Sequence, residues 1–474
     1  MMAVSRAMKP GQAFARSVQR QAVVGSSRAF GTRSADPAAP RKGVVPKEVS
    51  TAEEAIAAHL KPGDMVFIQG IAATPNPLVD AMVDLAKKKE MKGIRTIHMH
   101  LEGKSPVPDE EAAKYITPLS LFTGGNLRAA VNNNWAEYCP IFLHEIASLF
   151  KKQIHTPDIA LVQVSPPDEH GYVSLGTSVD CTRAALQHCK SSIAMINKHM
   201  PRTIGDGLVH ISYFDTIWKH DKAMYTVDPV EPSAIEKKIG SYIAELIPDG
   251  ATLQMGIGNI PNAVLAQLGN HKHLGIHTEM FSDGMLPLVD SGVIDNSRKI
   301  THTGRTVTSF LLGSQNLYNY VDNNPGVEVL ECEYTNAPSV IAKCPQMHAI
   351  NSCIEVDLTG QAASDSIGTR IFSGFGGQVD FLRGAAMSDG GKPILALPSR
   401  SNRGDPRIVP TLRDGAGVVS TRATVHYVVT EYGVAFLPGK GLPARAKELI
   451  KIAHPDDREA LQKKAHERFG AKVL

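Results

Sequence analysis

Short apolar runs, each closed by glycine or proline, recur along the chain. Ala52 to Leu60 has helical spacing, and Pro62-Gly63-Asp64 turns it into an apolar run, Met65 to Gln69. The same grammar returns half a chain later, where Ala251 to Met255 leads into Gly256. Both runs end in a glycine turn: Gly70/Gly256, Ile71/Ile257, Pro75/Pro261 and Asn76/Asn262 correspond. Pro261 reads as the first position of a helix over Asn262 to Leu268, because its missing N–H has no partner there anyway. The next apolar pairs also match, Ile97-His98 with Ile276-His277, and two positions on the copies diverge to His100 and Glu279. Two strand–turn–helix units at this distance predict an internal duplication into two similar α/β domains with the active site between them.

Further runs fill in the two halves. Pro157 to Ser165 predicts a buried strand, followed by the turn Pro166 to Tyr172. Residues 221–235 read as a linker, which places the domain boundary near 230. In the second half, Glu328 to Cys332, His348 to Val356, Pro393 to Leu397 and Thr424 to Thr430 predict strands. Ser373 to Phe381 is a glycine-dense turn, and Pro443 to Gly470 predicts two surface helices broken at His454-Pro455. The expected division is a leader over 1–34, an arm over 35–50, an N-terminal domain over 51–230 and a C-terminal domain over 231–474.

Composition changes this picture only at the start. Residues 1–34 contain six bases, five serines and no acid, the pattern of a mitochondrial transit peptide. Removing those six from 50 leaves 44 Lys+Arg against 47 Asp+Glu, a net −3. A mildly acidic mature chain gives no support to nucleic-acid binding. No apolar run approaches the roughly 18 residues that a membrane span needs. The six cysteines form no CxxC and no zinc-finger spacing, so buried thiols are expected.

The chemistry concentrates between Gly256 and Asp283. A glycine turn that lets another molecule approach the backbone lies close in sequence to one acidic side chain. This suggests Glu279 as a covalent nucleophile, fed by a substrate held at the turn. Two other readings remain open on pattern alone. GIGNIP resembles part of a dinucleotide fingerprint, although Pro261 stands where the third glycine belongs. The turn also suits packing alone. His271, His273, His277 and Glu279 invite a metal, but without HExxH no metal is expected. Asn336, read at a strand end, and Gly376-Gly377 offer N–H donors for a developing oxyanion; a capping asparagine and packing glycines are the plain alternatives.

The chain resembles the acetyl-CoA hydrolase/transferase family, the class I CoA-transferases. The resemblance runs from about residue 50 to the C-terminus through GIGNIPNAV, GIHTEMFSDG, SFLLGSQNLYNYVDNNP, EYTNAPSVIA, IEVDLTGQ, SGFGGQVDFLRGA, RIVP and ELIKIAHPDDRE. It implies a glutamyl-CoA thioester at Glu279, with Asn336 and Gly377 supporting the oxyanion. It implies CoA contacts at Gly256, Ile257, Gly258, Asn259, Ile260, Gly376 and Gly377. PSRSNRGDPRIVP is arginine-rich where many relatives carry a lysine, which makes Arg400 and Arg403 the candidates for the CoA phosphates. The implied reaction is CoA transfer from acetyl-CoA to succinate, with acetyl-CoA hydrolysis as the rival. Coenzyme A and acyl-CoA are substrates in this reading, with no permanently bound cofactor. Expected partners are small carboxylates, with no nucleic acid and no membrane; a homodimer is compatible with the sequence.

Overall fold

The computed structural model describes residues 36–256 and 258–470. The expected leader over 1–34 and one residue of the glycine turn, Ile257, lie outside them.

The first half builds one all-parallel sheet of eight strands. In chain order these are β1 (Lys47–Val49), β2 (Met65–Ile68), β3 (Ile94–His98), β4 (Ile116–Ser120), β5 (Glu137–Tyr138), β6 (Ile159–Val164), β7 (Ser191–Ile196) and β8 (Thr216–Lys219). Their spatial order is β1-β8-β7-β6-β2-β3-β4-β5. β6 is buried at every position, as its apolar run, interrupted only by Gln163, dictates for a parallel sheet covered on both faces. The stretch expected to be an arm supplies β1, whose residues, exposed at Lys47 and Glu48 and half-buried at Val49, pair in parallel with Thr216 to Trp218 at the sheet edge.

The second half builds a six-stranded sheet from β9 (Thr252–Met255), β10 (Gly275–Ile276), β13 (Met347–Ser352), β14 (Lys392–Ala396), β15 (Tyr427–Thr430) and β16 (Gly433–Phe436). Its order is β10-β9-β13-β14-β15-β16, parallel except for β16. Thus β9 and β10 take the places of β2 and β3, while β13, β14 and β15 take those of β6, β7 and β8. Beyond β10 the match continues, because a parallel bridge joins His277 to Val307 in β11 (Thr306–Thr308), which pairs with β12 (Val327–Val329). These occupy the positions of β4 and β5. The repeated sheet order bears out the duplicated α/β architecture.

The halves are stitched together. Ile204–Gly205 from the first half adds to β12. A single core cluster runs from Phe67 and Phe150 to Leu253, Phe281 and Tyr318. Between the sheets, residues 220–233 carry no regular element until Ser233 caps the helix Ala234–Ala244 in a capping box with Glu236.

Three local readings shift. The helix after the second turn is Asn259–Leu265, so Pro261 sits inside its first turn rather than opening it. That position still lacks an intrahelical acceptor for an N–H, so proline fits. The strand read over Glu328 to Cys332 is Val327–Val329 instead, and Cys332–Thr335 forms a helical turn. Asn336 is therefore the C-cap of that turn and not a strand end. The tail forms helices Leu442–Lys451 and Pro455–Phe469, divided where His454-Pro455 predicted. All six cysteines are free thiols. No helix among the described residues is long and apolar enough to cross a membrane.

Candidate active site

Parallel strands bring their C-terminal ends to one side, where loops can gather chemistry. Glu279 lies just beyond β10 on that side. Its carbonyl accepts from the Ser309 and Phe310 N–H groups at 2.9 and 3.0 Å and from Thr308 Oγ1 at 3.1 Å. With its backbone pinned against β11, the side chain turns into a pocket of about 80 Å³. Ile71, His100, Phe122 and Leu143 line it from the first half; Met280, Phe310 and Gly376 line it from the second. The site therefore lies at the seam of the duplicated halves.

Two donors hold the carboxylate. Asn336 Nδ2 donates to Oε2 at 2.8 Å. The Gly377 N–H donates as well, from the residue that precedes the helix Gln378–Met387. A side chain at Gly377 would displace the groups gathered there: its Cβ would sit 1.9 Å from Glu279 Oε2 and 2.1 Å from Asn336 Nδ2, so both side chains would have to shift. Burial nevertheless dominates, pushing the Glu279 pKa up to about 7, and the nearby Asp380 carboxylate adds to that rise.

Behind these donors stands a chain of support. Asp380, buried in the first turn of Gln378–Met387, accepts from the His144 backbone N–H at 3.3 Å and lies 2.7 Å from its Nδ1. That carboxylate raises the His144 pKa and so favours the imidazolium. Asn336 also bonds Asp380, which links His144, Asp380, Asn336 and Glu279 in series. Asp380 stood in the quoted motif SGFGGQVDFLRGA, three residues past Gly377, and could have been singled out there. Nothing in the sequence pointed to His144.

The glycine turn adjoins this pocket. Gly256 donates to Ile350 O at 3.0 Å, and Gly258 has φ +116, a conformation for which glycine is suited. Gly258 is exposed, Asn259 half-buried and Ile260 buried in the core, so Ile260 can offer a ligand only its backbone. Gly258, Asn259 and Asn262 line a cleft of about 220 Å³ that shares Met280 and Leu312 with the Glu279 pocket. Gly376, at φ +53, places a would-be Cβ 4.0 Å from Glu279 Oε1.

The two candidate arginines part company. Arg400 forks onto Asp457 at 2.6 and 2.9 Å, so its guanidinium is engaged within the fold. Arg403 instead lines a cleft of about 480 Å³ with Arg128, Arg370, Arg407 and Arg413. Residues following β13 and β14 form this cleft, so it opens at the same end of the sheet as the glycine turn. The histidines do not gather: His277 is buried and neutral, its pKa pushed down to about 3 by burial, with Nε2 2.8 Å from Thr335 O. Among the described residues no cluster of His, Cys, Asp and Glu is disposed to hold a metal ion.

Two like α/β halves closing over a half-buried carboxylate that is supplied with donors define an enzyme of the CoA-transferase type. Comparison with known proteins makes that class specific. The chain belongs to the acetyl-CoA hydrolase/transferase family: the family's N-terminal domain matches residues 41–229 and its C-terminal domain residues 313–465. A succinyl-CoA:acetate/propanoyl-CoA:succinate CoA transferase from Fasciola hepatica is 50% identical, covering 92% of this chain and 91% of the relative. A 4-hydroxybutyrate coenzyme A transferase from Clostridium kluyveri is 46% identical, covering 89% and 98%. Among solved structures, 4-hydroxybutyrate CoA-transferase from Porphyromonas gingivalis superposes with a TM-score of 0.76 at 40% identity, covering 89% of this chain and 98% of that one. RipA from Yersinia pestis gives 0.82 at 31%, covering 89% and 97%. An acetyl-CoA hydrolase from Candida albicans is more distant, at 26% identity over 83% of each chain. The dinucleotide reading finds no support in these relatives, and the acid it needs for a ribose, Glu279, is turned onto Asn336 and Gly377.

Proposed function

We propose that the protein transfers CoA between acetyl-CoA and succinate through a thioester on Glu279. The observation that carries this reading is the Glu279 carboxylate held between the Asn336 amide and the Gly377 N–H at the edge of an otherwise apolar pocket. A Glu279 oxygen attacks the acetyl-CoA carbonyl, and the tetrahedral oxyanion collapses to expel CoA thiolate, leaving an acetyl-glutamyl anhydride. The thiolate attacks the glutamyl carbonyl, acetate departs, and the glutamyl-CoA thioester remains. Succinate then attacks that thioester and the two steps run in reverse. Each step is easier than direct exchange, which is the gain of covalent catalysis. Asn336 and Gly377 already donate to the carboxylate oxygens, so they are placed to stabilise an oxyanion formed on the glutamyl carbonyl. The apolar lining keeps water from the anhydride.

CoA in this reading lies across the C-terminal ends of β9, β13 and β14. Its pantetheine arm passes the turn of Gly256, Ile257, Gly258, Asn259 and Ile260 and the Gly376-Gly377 peptide. Its phosphates meet Arg403 and the neighbouring arginines, while Arg400 contributes by holding Asp457. No resident cofactor enters the reaction. The basic, serine-rich start supports import into mitochondria, and the boundary between the domains falls near residue 230.

Acetyl-CoA supplied without an acceptor acid should accumulate enzyme–CoA thioester, detected by intact-protein mass spectrometry. Borohydride should then inactivate the enzyme only after that treatment, because it reduces a thioester and spares a carboxylate. Kinetics with succinate should be ping-pong. Turnover of acetyl-CoA by water alone at the rate seen with succinate would replace the transferase reading by hydrolysis.

A further inference from the structure

We propose that His100 reads the far end of the acid bound at Glu279, its imidazole hydrogen-bonding the distal carboxylate of a dicarboxylate such as succinate. The inference rests on the transferase reading and extends it from the reacting carboxylate to the choice of acid.

The pocket that receives the acid is small and apolar. Ile71, Met99, Phe122, Leu143 and Phe310 form most of its wall, and Glu279 and His100 supply its polar side chains. Glu279 is committed to the reacting end. A carboxylate at the other end of a four-carbon diacid enters an environment where an unpaired charge is costly. His100 is the side chain in that wall with a hydrogen to give.

The ring is held for this task. It stacks on Phe122, with centroids 5.8 Å apart and planes 23° from parallel. Its Nε2 lies 3.2 Å from Glu102 Oε1, and Tyr225 bonds Glu102 in turn. Gly124 leaves the space it needs, since a Cβ there would fall 2.4 Å from His100 Cδ2. With Nε2 turned toward Glu102, Nδ1 is the nitrogen left for a ligand.

The imidazole is neutral in this wall: burial pushes the His100 pKa down to about 4, and the field of Arg128 adds to that. Short monocarboxylates therefore meet a neutral ring among apolar neighbours. A second carboxylate draws a proton from solvent onto the ring, because an adjacent anion favours the imidazolium. Both nitrogens then donate, one to Glu102 and one to the acid. One pocket can in this way serve acetate and succinate.

The test measures CoA exchange from acetyl-CoA to succinate, to propionate and to 4-methylpentanoate, in which a branched methyl end replaces the distal carboxylate. His100→Phe keeps the ring stack and removes the donors. It should raise KM for succinate and lower its kcat/KM about 10- to 100-fold. The other two acids should change less than about threefold. His100→Gln restores a donor and should recover much of the succinate activity. A parallel loss for all three acids in both variants would make His100 merely structural and overturn the proposal. So would unchanged succinate kinetics, or a wild-type enzyme that uses propionate and refuses succinate. Propionate exchange keeps the transferase reading standing in each of these cases. A wild-type protein that moves CoA to no acid overturns both.

Discussion

The two copies of the strand–turn–helix unit have gone separate ways. In the first, Gly70 through Pro75 is buried, and a Cβ on Gly70 would meet the His100 carbonyl at 2.8 Å. In the second, the matching Gly256 is half-buried, where a Cβ would meet Ile350 O at 3.4 Å, and Gly258 two residues on is exposed with nothing within 4 Å of a would-be Cβ. His98 and His277 occupy matching positions, both buried and neutral, with pKa values pushed down to about 4 and 3. Two residues further on the copies diverge. His100 pairs with Glu102, whereas Glu279 meets Asn336 and Gly377. The lesson is a division of labour after duplication: one copy closed its turn and became a wall of the pocket, while the other kept an open turn and placed the carboxylate.

Replacing the second copy's carboxylate is the strongest test of that division. Glu279→Gln should lower CoA exchange by at least about 10³-fold, since a neutral amide cannot form the anhydride. Circular dichroism should show the fold intact. His100→Phe should leave propionate exchange near wild type. Comparable losses from both would erase the asymmetry between the copies.

The donors come next. Asn336→Ala removes one, and Gly377→Ala drives a methyl into the space 1.9 Å from Glu279 Oε2. Each should cost about 10²–10³ in kcat. A loss confined to KM would mean that they hold CoA and not the developing charge.

A smaller effect is expected one shell out. His144→Ala leaves the buried Asp380 charge without its partner, beside a carboxylate whose pKa that charge already raises. The Glu279 pKa should climb further, so activity at pH 7 should fall about tenfold and return as pH is raised. An unshifted pH–rate profile would disconnect His144 from the site.

How much of this was legible follows from distance along the chain. The duplicated turn showed because Gly, Pro and Asn act locally, within a few residues of an apolar run. The helix start slipped from Asn262 to Asn259 because Gly258 leaves the strand early and proline is tolerated in a first turn. β1 was hidden because its Lys-Glu-Val carries no apolar period; it joins the sheet through main-chain pairing with β8, helped by the Lys219–Glu48 ion pair. Asn336 was placed on the wrong element, since a four-residue helical turn leaves little periodic trace. Residue patterns could not disclose the His144–Asp380 pair, whose members lie 236 residues apart. Arg400 and Arg403 stood alike in one basic stretch, and only the fold separates the residue on Asp457 from the residue on the cleft.

The smallest effect separates the copies by sign. Glu279 has its pKa raised from 4.5 to about 7 by burial. Between those values the folded chain keeps a proton that the unfolded chain releases, so this group's contribution to stability is full below about pH 4.5 and is lost as pH rises through 7. His100 behaves oppositely. Its pKa falls from 6.5 to about 4 on burial, so stability is lost as pH falls through that window. A 2.5-unit shift corresponds to an upper bound of about 3 kcal/mol; because Glu279 is only partly buried by surface area, about 1–2 kcal/mol is expected. Relative to wild type, Glu279→Gln should therefore gain stability between pH 5 and pH 8, with its melting temperature moving up against the parent as the medium becomes alkaline. His100→Phe should gain in the other direction, from pH 8 to pH 5. Taking each variant's difference between the two pH values cancels the change in packing, which does not titrate. Calorimetric differences of the same sign for both variants would show that the two positions do not lie in opposed electrostatic settings, and the division of labour would have to rest on the open and closed turns alone.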